Sequence, residues 1–88
     1  MEKTQRELFR TELVRIARNA SPQSATLRIF AMNLRGLFSV SVTEIEAEVQ
    51  YLVGKGLLCD ASKSISPENK AWHVSAAGRD WLAEQGLD

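Results

Sequence analysis

The chain has 88 residues, of which 44% are hydrophobic and 25% charged, and its eleven basic side chains are balanced by eleven acidic ones. That length accommodates one domain with one core, here residues 1 to 88, and the composition is that of an ordinary globular protein and suggests no disorder class. One cysteine, Cys59, and one histidine, His73, exclude an internal disulfide and cannot fill a four-ligand zinc site.

In chain order, a first helix is predicted from Thr4 to Asn19, with Phe9, Leu13, Ile16, Ala17 and Ala20 spaced as the buried stripe of an amphipathic helix. Ser21-Pro22 follows. A side-chain oxygen that caps free N–H groups and a proline that needs no N–H partner suit a helix start, so a second helix is expected there or from Ser24. It would turn Leu27, Phe30, Ala31 and Leu34 inward and stop near Gly36, which tolerates the positive φ of a helix C-terminus. Leu37 to Ser41 reads as a long turn.

Ser41 and Glu44 have the spacing of a capping box at the start of a third helix. Val42, Ile45, Val49, Leu52 and Val53 form its buried stripe; Thr43, Glu44, Glu46, Ala47, Gln50 and Gly54 face away, with Glu48 and Tyr51 on the flanks. Leu57 to Ala61 and Lys70 to Val74 read as a hairpin around the polar loop Ser62 to Asn69, which contains Pro67. Cys59 then sits in the first strand as a small half-buried residue. Ser75 caps a last helix, Ala76 to Gln85, that turns Ala77, Trp81 and Leu82 toward the body. No run approaches the roughly 18 apolar residues of a membrane span, and Met1 to Arg6 is too polar for a signal peptide, so no membrane association and a cytoplasmic placement are expected.

Charge is unevenly spread: residues 1 to 40 hold seven bases and three acids, residues 41 to 88 four bases and eight acids. Nucleic-acid binders draw much of their affinity from phosphate neutralisation, so phosphate contacts are expected from the first half, where Lys3, Arg18, Arg28 and Arg35 would make a patch. Glu2 with Arg6, Glu7 with Arg10 and Glu12 with Arg15 have the spacing of local helix pairs. On the third helix, Gln50 suits adenine, Ala47 a thymine methyl and Thr43 a base edge, while Lys63 and Lys70 of the hairpin suit phosphates. Catalysis is not expected: His73 has no nucleophile at a motif spacing, no Gly-rich phosphate loop is present, and Glu44 and Glu48 share an exposed helix face without desolvation.

Tyr51-Leu52, Gly56-Leu57 and Val74-Ser75-Ala76-Ala77-Gly78 fall where winged-helix transcription regulators carry an aromatic and leucine near a helix end, Gly-Leu, a hairpin and Leu-Thr-x-x-Gly. The chain resembles that mainly α class: a winged helix-turn-helix with a three-helix core, a two-stranded β-hairpin wing and a C-terminal helix. Over nearly its whole length, including Ala17 to Ala20, the long turn and Glu48-Val49-Gln50-Tyr51-Leu52, it looks most like the small winged-helix proteins of Mu-like prophages. The resemblance implies a non-enzymatic regulatory or accessory protein of the bacterial host cytoplasm that binds double-stranded DNA, uses no cofactor and forms a homodimer through its terminal helices. That family's third helix shows a mixed or basic face, whereas this chain places Glu46 there. A second reading therefore stays open, a protein-interaction module whose Glu44, Glu46 and Glu48 meet a basic protein partner.

Overall fold

The computed structural model describes residues 2–61 and 70–87. Their order is α1 (Lys3–Ala20), β1 (Ala25–Thr26), α2 (Leu27–Leu34), α3 (Val42–Gly54), β2 (Leu58–Asp60), β3 (Ala71–Val74) and α4 (Ala76–Glu84). The protein is mainly helical, with a small antiparallel sheet in the order β1-β3-β2.

The stripe of α1 buries Phe9, Leu13, Ile16 and Ala17 as its periodicity predicts, and adds Val14. Ala20, the last member of the predicted stripe, is only partly buried. The next segment departs from the prediction. Ser21 and Pro22 form a turn, and α2 begins only at Leu27, because Ala25 and Thr26 are drawn out as an edge strand opposite Trp72 and Ala71 of β3. An otherwise open ladder of backbone groups is thereby paired. Thr26 ends this strand and caps α2, its Oγ1 accepting from the Ile29 N–H at 3.2 Å. Phe30 and Leu34 of α2 are buried, and the Trp72 ring packs 6.2 Å from that of Phe30.

The capping box forms: Glu44 N–H donates to Ser41 Oγ and Ser41 N–H to Glu44 Oε1. Ile45, Val49 and Leu52 carry the buried stripe and Val53 packs against it, but Val42 is 53% exposed. As first residue of the helix it lies at the surface beside the 35–40 turn, so the inward face begins one turn later. At the other end Gly56 takes φ 80° and Leu57 N–H returns to the Leu52 carbonyl, which closes α3 and aims the chain into β2.

Leu58, Cys59 and Asp60 face Val74, His73 and Trp72 across β2 and β3. The predicted hairpin is therefore present but is not the whole sheet, since β3 also pairs with β1. The expected loop, including Lys63, lies outside the described residues. Ser75 caps α4 through Gly78 N–H, and its own N–H donates to the Leu57 carbonyl. Gly78 rests so closely on that carbonyl that a Cβ would collide with it. This contact rotates α4 so that Gly78 and Leu82 are buried and Trp81 is half-buried, while Ala77, predicted to face inward, is exposed.

Candidate nucleic-acid interface

Thr43, Ala47 and Gln50 are all exposed, and their spacing of four and three residues lines them up along one edge of α3. The carboxylates predicted to share this outward surface as a free acidic set are placed otherwise. Lys70, just before β3, donates from Nζ to Glu46 Oε1 at 2.8 Å. On the opposite flank Glu48 Oε2 accepts from Arg10 Nε at 2.7 Å, and Arg6 approaches its other oxygen at 3.9 Å. Both glutamates are partly buried, so neither extends as a solvated charge. Of the three, Glu44 alone is exposed, and its carboxylate is used in the capping box.

The same pairs revise the expected cations. Lys70 is held by Glu46, so it is not a standing phosphate contact. Arg10 does not close its charge locally with Glu7 but reaches α3, where its guanidinium also lies 3.9 Å from the Tyr51 ring centroid. Its hydrogen bond to Glu48 holds the guanidinium pKa above the ordinary value, with burial opposing and the charge of Glu7 adding to the shift. Glu12 and Arg15 do form the local pair, at 2.9 Å. The four-residue basic patch is not assembled: about 22 Å of helix separates Lys3 from Arg18 and about 10 Å separates Arg28 from Arg35. Arg28 and Arg35 are both exposed, and Arg35 borders the cleft that contains Val42 at the start of α3.

Arg10 and Tyr51 are the site residues that the sequence concealed. A partner 38 positions away leaves no local trace, although Tyr51 and Lys55 stand four apart on the helix, the spacing at which a cation meets a ring. A second juxtaposition is Cys59 opposite His73 on the hairpin. Two donors supply half of a tetrahedral shell, and among the described residues no three His, Cys, Asp or Glu side chains are grouped to hold a metal ion.

The terminal helices use most of their apolar surface internally. Leu82 of α4 is fully buried, as is Trp72 of β3, and Trp81 packs against the core, while Leu8 of α1 is 56% and Leu87, beyond α4, 42% exposed. Among the described residues no helix is long and apolar enough to cross a membrane. The chain matches no protein-family model, no curated protein and no solved structure.

Proposed function

We propose that the chain is a non-enzymatic winged-helix protein, of the kind carried by Mu-like prophages, that acts in the bacterial cytoplasm by laying α3 against duplex DNA. The observation that carries this reading is the neutralisation of Glu46 by Lys70 and of Glu48 by Arg10 on the two flanks of the Thr43, Ala47 and Gln50 edge. The phosphates that border the major groove repel free carboxylates, whereas the donors, acceptors and thymine methyl groups of its floor accommodate small and amide side chains. With few uncommitted cations nearby, affinity is expected in the nonspecific range, about 10⁻⁴ to 10⁻⁶ M, with a small salt slope, because that slope grows with the number of phosphates neutralised.

Fluorescence anisotropy on a mixed-sequence duplex at low and moderate salt tests the reading. Ala47→Glu should abolish binding while circular dichroism stays unchanged, because Ala47 is exposed. Absence of wild-type binding at low salt, or equal binding by the variant, overturns it.

A second reading, a protein-interaction module, is supported by the turn that leads into the same helix. Leu37 and Val42 are 63% and 53% exposed beside the half-buried Phe38 and Val40, with Glu44 on the rim. Such a turn suits an apolar partner surface edged with a base. Replacing both Leu37 and Val42 with serine should then remove a protein partner without touching DNA binding.

A further inference from the structure

A cavity of about 550 Å³ opens between α1, the end of α3 and α4. Its size falls within the roughly 300–1,000 Å³ of small-molecule sites. Leu52, Leu57 and Trp81 line it, and Trp81 is only half covered by the rest of the chain. An indole left in this state at a concave surface offers a face for offset stacking with a planar guest.

The remaining wall is charged, and its balance fixes the sign of the guest. Tyr51 carries two cations at its ring, Arg10 at 3.9 Å and Lys55 at 5.7 Å from the centroid, and all three residues line the cavity. Arg10 is met by Glu48 and feels Glu7, while Arg6 lies at the edge of the same Glu48 carboxylate. Of the charged residues that line the cavity, Arg10 is thus already bonded to Glu48 just outside it, and Glu7 is the lining's one carboxylate among the described residues. Lys55 is left over: among the described residues no carboxylate lies within 4.0 Å of its amine.

We propose that this cavity binds a small aromatic monoanion, its planar body against Trp81, Leu52 and Leu57 and its carboxylate or sulfonate at Lys55. The apolar part gains by leaving water, and the acid group is set beside the one wall cation that has no counter-charge. Binding here does not require DNA, since the cavity lies beyond the Gln50 end of the exposed edge and stands on its own lining.

The test uses two probes of matched shape, 8-anilinonaphthalene-1-sulfonate and its uncharged relative N-phenyl-1-naphthylamine, titrated by fluorescence into the full chain. Wild type should bind the sulfonate saturably at one site. Lys55→Gln should weaken it about two- to fivefold and leave the neutral amine unchanged; Trp81→Leu should weaken both. Lys55 is exposed, so its variant should melt as wild type does, which separates a lost contact from a loosened fold. Amide shift mapping should place the sulfonate at Trp81 and Lys55. Equal sulfonate binding by Lys55→Gln, equal affinity of wild type for the two probes, or shifts centred on Leu37 and Val42 would overturn the proposal.

Discussion

Arg10 of α1 donates a 2.7 Å hydrogen bond to Glu48 of α3, and the same guanidinium covers the ring of Tyr51, one helical turn further on. One side chain therefore grips two successive turns of the neighbouring helix. A charge-assisted bond at a partly buried position and a cation over an aromatic face are each worth about 1 kcal/mol. Arg10→Ala should lower the melting temperature by about 4–8 °C for each kcal/mol lost. Thermal melts of Arg10→Ala, Glu48→Gln and the double variant measure the coupling, and strict additivity would show that the pair contributes nothing.

On the proposed DNA-binding reading, the Glu46–Lys70 pair sets how many cations face the duplex. Glu46→Gln leaves Lys70 without its counter-charge next to the α3 edge, so DNA should bind more tightly. Each additional phosphate neutralised steepens the slope of log K against log salt by about 0.9. An anisotropy series across salt reads both effects, and an unchanged slope would place Lys70 away from the duplex.

Glycines in different surroundings should respond with opposite sign. At Gly78 a methyl group meets the Leu57 carbonyl, a backbone atom that cannot step aside, and Val74 at 2.9 Å. Gly78→Ala should cost about 1–3 kcal/mol. Gly54, at the end of α3, has open space where a Cβ would lie and no positive φ, so Gly54→Ala should stabilise by up to about 1 kcal/mol. Denaturant midpoints decide both.

Two neighbours on α3 separate core from surface. Ile45 is 2% exposed, and Ile45→Asp buries a carboxylate with no partner, at a cost on the order of 4 kcal/mol or more. Val42→Asp should stay within about 0.5 kcal/mol of wild type, because the position is exposed and an acid in the first helical turn meets a favourable dipole. Melting curves for the two variants should differ by tens of degrees.

The helix stripes, the Ser41 and Ser75 caps and the hairpin were legible in the sequence because each is set by residues within a few positions of one another, whereas the cap expected at Ser21 is made at Thr26 instead. Ser41 with Glu44 and Ser75 with Gly78 contain their own geometry. Ala25–Thr26 was not legible: two residues carry no periodicity, and they become a strand only because β3 needs a second partner. Val42 and Ala77 misled for a shared reason, since in a first helical turn the periodic pattern does not show how much of the body lies alongside. The candidate site was half legible. Thr43, Ala47 and Gln50 hold the outward edge expected of them, whereas the neutralisation of Glu46 and Glu48 joins residues 24 and 38 positions apart, where local charge counting suggests pairs within a single turn.

The middle strand of the sheet is the last of the three to be synthesised. While a nascent chain ends before residue 71, Ala25–Thr26 and Leu58–Asp60 have no strand to pair with, and the interior lacks Trp72, one of its largest fully buried side chains. The three preceding helices would emerge from the ribosome as a loose assembly around an unfilled centre. Closure then waits for four residues near the far end of the chain, which clasp segments made some fifty and some fifteen positions earlier in one event. A truncation or stalled translation at the hairpin would accordingly leave a sticky intermediate rather than a smaller stable domain.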